Sequence, residues 1–190
     1  AAFAWLHEVD RRFSPFRPDS EVTRVRAGTL ALADAAPDVR AMFTLADELS
    51  DRTGGYFDPR GFRDDGRPDP TGVVKGWSVD EAVSILRLAG ARNLQVVAGG
   101  DLVAGGEPEP GRPWRIGIRH PEHAHQQAAV IDVTGPFAVA TSATYERGAH
   151  IIDPSTGTPT TDLASATVIG PDLGTADAYA TALFVMGLGG

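Results

Sequence analysis

The sequence contains no cysteine, and Lys75 is its only lysine. The lack of cysteine excludes disulfide bonds, thiolate catalysis, zinc–thiolate sites and iron–sulfur clusters within this stretch. No apolar run approaches the roughly 18 residues that a membrane-spanning helix requires, and no charged-then-apolar signal segment opens the chain. These absences favour a cytoplasmic location, and no transmembrane segment is expected in this chain.

The overall charge is acidic. The chain has 25 Asp and Glu against 17 Lys and Arg, which gives a net charge of −8 and a pI near 5.0. This balance disfavours a nucleic-acid-binding surface. An anionic ligand would need local help from backbone amides, a few cations or a metal ion. Because nearly all basic residues are arginine, either GC-rich codon usage has replaced surface lysines or Lys75 is retained for its chemistry.

The length of 190 residues suits one domain. The chain begins with Ala1 and ends with Gly190, and we expect it to be trimmed at both ends. Apolar spacing predicts helices over residues 1–12, 37–53 and 175–186. A capping box at 78–81 predicts another helix that runs to residue 90. Its inward face would consist of Val79, Val83, Leu86 and Ala89.

Apolar runs predict strands over residues 94–98, 114–118, 129–133, 137–140 and 164–169. Residues 56–71 are rich in Asp, Arg, Gly and Pro, which predicts a loop. Short Gly/Pro turns join adjacent strands, while the helices lie in separate stretches. The predicted fold class is therefore α+β, with a largely antiparallel sheet flanked by helices. The G-x-G-x-x-G turn of a Rossmann domain is absent.

The last predicted helix carries Asp177 and Thr181, four residues apart and therefore on one face. A carboxylate and a hydroxyl are hard oxygen donors that suit Mg²⁺ rather than a soft metal. The alternative is structural, because the helix dipole favours Asp in the first turn and Thr can hydrogen-bond back to the helix.

Residues 69–76 combine a carboxylate, a glycine turn and the single lysine in one predicted loop before a helix. Such a loop can bring backbone amides and a point charge to a phosphate. A solvated loop with an incidental lysine is the alternative. Glycines at 99–100 permit close approach of the backbone to a ligand, although a plain turn would also explain them.

The histidines suggest one candidate base. His150 precedes an apolar pair and an Asp-Pro-x-x-Gly turn, which would fix it at the end of a short strand. A histidine near neutrality can activate a hydroxyl as a general base, and a structural histidine is the alternative. His120, His123 and His125 lie in a polar stretch where no helix fixes their spacing, so we interpret them as a solvated loop.

Seven segments resemble, in chain order, motifs of the ApbE family, the FAD:protein FMN transferases. Residues 53–58 (TGGYFD) are similar to the family's T-G-G-A-F-D, and residues 69–80 (DPTGVVKGWSVD) to its D-x-G-G-I-A-K-G-Y-x-V-D. The other five are residues 14–24, which resemble an early loop and strand, and residues 99–101, 140–142, 150–157 and 176–184. The resemblance implies a single ApbE-like flavin transferase domain over residues 1–190, with a T-fold-like architecture.

The resemblance also implies an activity and a site. The protein would transfer FMN from FAD to a Thr or Ser hydroxyl of an acceptor protein, with Mg²⁺ as cofactor and AMP as product. Asp177 and Thr181, with the carbonyl of Gly72, would ligate magnesium, and His150 matches the histidine implicated in catalysis. The residues expected to bind FAD are Phe16, Tyr56, Phe57, Asp58, Asp69, Lys75, Gly99, Gly100, Asp101 and Ile151.

The chain departs from the family pattern at several positions. Tyr56 stands where alanine is usual, which would narrow the flavin pocket or add a stacking face. Val74 replaces the alanine beside the lysine, and Arg26 stands where asparagine is common. The hairpin usually found between residues 145–147 and His150 is missing, as is the family's opening strand.

The same residues are compatible with other functions. A magnesium-dependent FAD pyrophosphatase that yields FMN and AMP would use the same residues, with water as nucleophile. A non-catalytic flavin-binding carrier would need neither the Asp177/Thr181 pair nor His150, and a truncated relic would lack essential strands. Because many members of the family are exported or membrane-associated, such a location is the alternative to the cytoplasm.

Overall fold

A computed structural model describes residues 1–60, 66–145, 148 and 150–189. Within these ranges the helices are α1 (Ala2–Phe13), α2 (Glu21–Arg26), α3 (Pro37–Arg52), α4 (Thr71–Leu88) and α5 (Leu173–Met186). The strands are β1 (Leu94–Ala98), β2 (Asp101–Gly105), β3 (Trp114–Arg119), β4 (Gln127–Val133), β5 (Phe137–Ala143), β6 (Ile152–Asp153), β7 (Thr158–Pro159) and β8 (Ser165–Gly170). Every strand pairing is antiparallel. The α+β fold predicted from the sequence is confirmed.

The central sheet has four strands in the order β1-β2-β5-β8. Gly99 and Gly100 have φ angles of 61° and 95° and form the turn that joins β1 to β2. The sequence predicted β1 but not β2, because the run from Asp101 starts with a carboxylate and was assigned to the end of β1. In the structure, Leu102 and Ala104 face one side of β2 while Val103 faces the other.

The two faces of the sheet are covered differently. Helices α4 and α5 lie on one face, where Val79 and Val83 pack against Val103, Ala138 and Ala140. The β3–β4 hairpin lies on the other face, where its Ile116 joins a cluster with Leu102, Ala104, Phe137 and Val139. Helices α1, α2 and α3 extend the core beyond the sheet and enclose Phe13, Val22 and Leu49.

The sequence placed the start of α4 incorrectly. The predicted capping box at Ser78 is wrong, because α4 already begins at Thr71 and Ser78 lies in its interior, where Oγ donates to the Lys75 carbonyl at 2.8 Å. Val73 and Val74 are buried in the core, so tertiary packing overrides the weak helix propensity of this glycine- and valine-rich stretch. Val79 and Val83 are buried as predicted.

Two smaller expectations also need correction, and a third concerns residues that the structure does not describe. Leu86 is only partly buried and Ala89 is exposed, so the inward face of α4 ends earlier than predicted. The strand expected from the early motif is the helix α2, whose N-terminus is capped by Ser20 Oγ accepting from Thr23 N at 3.1 Å. The hairpin expected to be missing before His150 concerns residues 146, 147 and 149, which lie outside the described residues.

No helix in the described ranges combines the length and apolarity that crossing a membrane requires.

Candidate active site

A cleft of about 790 Å³ opens between the β3–β4 hairpin and the N-terminal halves of α4 and α5. Its volume falls within the range of roughly 300–1,000 Å³ that is usual for ligand sites. The cleft brings together residues that are far apart in the sequence. The predicted site residues on its wall are Tyr56, Phe57, Asp58, Gly72, Lys75, Gly99, Gly100, His150, Ile151, Asp177 and Thr181.

Asp177 and Thr181 project from one face of α5 into this cleft. The Asp177 side chain is only 13% exposed. Thr181 Oγ1 lies 3.2 Å from Ser142 Oγ of β5, so a second hydroxyl stands beside the pair. Helix α5 is well defined at its start, because the Asp172 side chain accepts from Thr175 N at 2.8 Å. The result is a cluster of hard oxygen donors at the wall of the cleft.

Lys75 forms ion pairs with two carboxylates, one of which is that of Asp177. Its ammonium lies 3.1 Å from Asp177 Oδ2 and forms an ion pair with Asp101 Oδ2. Burial lowers the pKa of Lys75, but the charges of Asp177 and Asp101 and its hydrogen bonds to both raise it by more, so the net pKa lies above its ordinary value. Lys75 is therefore a fixed positive charge on the cleft wall at neutral pH.

Asp101 is 1% exposed and is not part of the cleft wall. One carboxylate oxygen pairs with Lys75, and the other accepts from Thr141 N at 2.9 Å. In this arrangement Asp101 contacts Lys75, which lines the cleft, but does not line the cleft itself. Its direct contact with FAD stays a prediction.

Asp69 and Phe16 also lie away from the cleft wall. Asp69 is completely buried, and its Oδ1 accepts from Thr71 N and Thr71 Oγ1 at 3.0 and 2.6 Å, which fixes the start of α4. Its Oδ2 lies 3.5 Å from the guanidinium of Arg26. Phe16 is 93% exposed. For both residues, contact with FAD stays a prediction.

The loop after α3 forms another part of the wall. Gly54 and Gly55 adopt φ angles of 64° and 85°, a region that favours glycine. Thr53 Oγ1 then accepts from Phe57 N at 3.1 Å, and the Phe57 ring is buried in the core. Tyr56 is exposed toward the cleft. The loop thus presents an aromatic face and the Asp58 carboxylate to a ligand.

His150 is solvent-exposed on the cleft wall. Its Nδ1 lies 2.9 Å from the carbonyl oxygen of Gly148. Because a carbonyl only accepts hydrogen bonds, this contact assigns the proton of a neutral ring to Nδ1. Nε2 is then the nitrogen with a lone pair, as a general base requires. Ile151, next to it, packs into a cluster with Phe184.

Several cleft residues were not predicted as site residues. Thr141 and Ser142 come from the end of β5, Tyr145 from the segment just after it, and Ile116 and Arg119 from β3. The Arg119 guanidinium lies 4.6 Å from the centre of the Tyr145 ring, a cation–π distance. The alternation of apolar residues predicts the strands but not which of their side chains meet in a cleft. That depends on how β3 and β5 are placed in the fold, which the sequence does not show.

The donor set on the cleft wall fits a hard divalent ion. Mg²⁺ is typically bound by one or two carboxylates, with waters and substrate phosphates completing the shell. Asp177 would supply the carboxylate, the Thr181 and Ser142 hydroxyls lie beside each other on the same wall, and Gly72, which also lines the cleft, would contribute its carbonyl. Over the described residues, no group of three or more His, Cys, Asp or Glu side chains is arranged to hold a metal.

Two of the three histidines in the segment 120–125 contact each other. The rings of His120 and His123 stack with their centres 4.7 Å apart.

Comparisons with known proteins agree on one family. The model of the ApbE family matches residues 1–61 and 63–190. The FAD:protein FMN transferase of Vibrio cholerae is 38% identical over 128 residues, covering 63% of this chain and 38% of that protein. The FAD:protein FMN transferase of Salmonella typhimurium is 31% identical over 182 residues, covering 90% of this chain and 50% of that protein.

A solved structure shares the fold. The flavin transferase ApbE from Vibrio cholerae matches with a TM-score of 0.85 at 27% identity, covering 98% of this chain and 77% of that one. This chain spans 38% and 50% of the length of the two curated relatives. Since the family model matches almost every residue and the cleft gathers the motifs that carried the resemblance, the chain belongs to the ApbE family.

Proposed function

We propose that this protein is an enzyme that transfers the FMN half of FAD to a Thr or Ser hydroxyl of an acceptor protein and releases AMP. One observation carries the proposal: a single cleft joins the oxygens of Asp177 and Thr181, the ammonium of Lys75 and the imidazole of His150. The relatives named FAD:protein FMN transferase support the same assignment.

The reaction exchanges the phosphoanhydride bond of FAD for a phosphate ester on the acceptor. The acceptor oxygen attacks the FMN-side phosphorus of FAD, a new phosphorus–oxygen bond forms, and the bond to the bridging oxygen of the diphosphate breaks. The hydroxyl proton leaves with a base, and AMP departs with the bridging oxygen. Phosphoryl transfer of this kind depends mainly on positioning and on neutralisation of charge.

The charged residues of the cleft suit these tasks. Asp177 and Thr181, with the Gly72 carbonyl, would hold Mg²⁺. A magnesium ion bound there supplies charge neutralisation at the diphosphate and stabilises the leaving phosphate. Lys75, which carries a positive charge at neutral pH, adds a second cation on the same wall. The Tyr56 ring offers a stacking face for the flavin.

His150 is assigned the role of general base. Its Nδ1 is held by the Gly148 carbonyl, so Nε2 is free of the ring proton and can accept the hydroxyl proton of the acceptor. The exposure of His150 is consistent with a protein substrate, because the acceptor side chain must reach the base from solvent. General base catalysis typically contributes roughly 10²–10⁴ in rate.

A transfer assay with two arms tests the proposal. The protein is incubated with FAD and Mg²⁺, either alone or with an acceptor protein, and a variant of that acceptor with its Thr replaced by Val serves as control. We expect the intact acceptor to gain the mass of FMN less one water while AMP appears in equal amount. The control acceptor should gain nothing.

The same assay separates the competing functions. Stoichiometric FMN and AMP without a modified acceptor would replace the transferase proposal with FAD pyrophosphatase activity. Binding of FAD with no AMP in either arm would indicate a carrier.

A further inference from the structure

The start of α5 is attached to the middle of α4 by one carboxylate. Asp80 of α4 accepts from Leu173 N at 3.0 Å through Oδ1 and at 2.8 Å through Oδ2, and from Gly174 N at 3.0 Å through Oδ2. The first amides of a helix have no partner within the helix. Asp80 therefore caps α5 from a different helix, across 93 residues of chain.

A second contact lies one turn away on the same side of α4. A Cβ at Gly76 would stand 2.6 Å from Gly174 Cα, Gly174 N and the Leu173 carbonyl oxygen. Only glycine fits at this distance, so the two helices touch backbone to backbone. Because Gly76 and Asp80 are four residues apart, both contacts face α5. Together they fix how α5 lies against α4.

The two helices joined by this attachment also carry the residues of the candidate metal site. Helix α4 carries Gly72 and Lys75, and α5 carries Asp177 one turn after Gly174. The Lys75–Asp177 contact of 3.1 Å therefore spans the two helices just beside the Asp80 cap. A shift of α5 along α4 would change this contact.

We infer that Asp80 is a positioning residue, which holds α5 against α4 so that the oxygens of Asp177 and Thr181 face Lys75 and the cleft. The part of this inference that concerns the metal rests on the proposed function. Asp80 does not line the cleft and touches neither Lys75 nor Asp177 in the described structure. It acts through the placement of α5.

The surroundings of Asp80 disfavour the charged form of its carboxyl group. Burial raises the pKa of Asp80, and the charges of Asp172 and Glu81 raise it further, while the hydrogen bonds from Leu173 and Gly174 lower it only in part. The pKa of Asp80 is therefore higher in the folded than in the unfolded protein. As the pH rises from the unfolded-state pKa to the folded-state pKa, ionisation of Asp80 lowers the free energy of unfolding.

Asp172 provides a matched control. Both carboxylates cap α5, but Asp172 belongs to the N-cap of that helix and accepts from Thr175 N. Asp80→Ala and Asp172→Ala each remove one cap, and only Asp80→Ala cuts the attachment to α4. If capping is all that matters, the two variants should behave alike.

The single lysine supplies a readout that needs neither metal nor activity. In protein labelled with ¹³C-lysine, the ε-carbon resonance belongs to Lys75 alone. We expect Asp80→Ala to move this resonance toward its position in Asp177→Ala, and Asp172→Ala to leave it near the wild-type position. Identical resonances in Asp80→Ala and wild type would overturn the inference. Should Asp80→Ala not fold, Asp80→Asn, which keeps one acceptor oxygen, is expected to show an intermediate shift.

Calorimetric titration with Mn²⁺ extends the test to the metal. Displacing residues that orient metal ligands typically weakens binding 10- to 100-fold, so Asp80→Ala should bind Mn²⁺ about 10-fold more weakly than Asp172→Ala. Equal affinities would contradict the positioning role. If the wild-type protein binds no Mn²⁺, the metal part of the proposed function fails, and the Lys75 resonance still decides on Asp80.

Discussion

Asp177→Ala is expected to abolish divalent-ion-dependent FMN transfer while the fold survives. The variant removes the carboxylate that the α5 oxygen cluster contributes to the cleft. Lys75 keeps its partner Asp101, so the substitution leaves no isolated buried charge. We expect the rate of transfer to fall by about 100-fold or more, the size of effect seen when a preorganised charge-stabilising group is removed. The melting temperature should stay within about 5 °C of wild type.

The assay for Asp177→Ala is the mass of the acceptor over time, at several Mg²⁺ concentrations. Asp47→Ala is a suitable control, because Asp47 is a half-exposed surface carboxylate that pairs with Arg60 away from the cleft. This control should transfer FMN at the wild-type rate. Wild-type flavinylation by Asp177→Ala would remove Asp177 from the metal site.

His150→Ala should separate binding from chemistry. The imidazole is exposed and its contact with Gly148 is local, so its removal should leave the cleft walls intact. We expect FAD to bind with little change in affinity, while transfer falls by roughly 10²–10⁴ through loss of the general base.

Fluorescence titration of FAD measures the first quantity for His150→Ala, and single-turnover formation of flavinylated acceptor the second. His125→Ala, an exposed histidine outside the cleft, is the matched control and should match wild type in both. If His150→Ala lost FAD binding and transfer together, the residue would be a binding group and the base would have to be sought elsewhere.

The helix that carries the oxygen pair was predictable because its signal is local. Residues 175–186 have the spacing and composition of a helix, and Asp177 and Thr181 fall on one face of it whatever surrounds them. Helix α5 extends over Leu173–Met186, close to that prediction. The β1, β3, β4, β5 and β8 strands were likewise visible as apolar runs.

The start of α4 was not predictable from local signals. Gly72 and Gly76 favour a loop when taken by themselves. In the structure, Gly76 is needed because α5 approaches too closely for any side chain, and Val73 is buried among residues from other helices. These reasons depend on residues from other parts of the chain, such as Gly174 for Gly76, which a local window of sequence does not contain.

Part of the site was hidden for the same reason. Asp101 follows two glycines, and the sequence suggested that it meets the ligand directly. The structure pairs it with Lys75 and Thr141, a contact that the sequence did not predict, and its contact with FAD stays a prediction. Asp80 lies within the segment 78–81 that the sequence predicts as a capping box of its own helix, whereas in the structure its carboxylate caps α5. The sequence does not show whether an Asp side chain caps its own helix or a helix far away in the chain.

The central claim is that oxygens from one turn of α5 hold a divalent ion against the diphosphate of FAD. A crystal structure with FAD and Mn²⁺, with the ion located by its anomalous scattering, tests it most directly. The account predicts an anomalous peak within about 2.5 Å of the Asp177 carboxylate and Thr181 Oγ1, in contact with a phosphate oxygen. A diphosphate bound elsewhere, with no peak beside Asp177, would contradict the account.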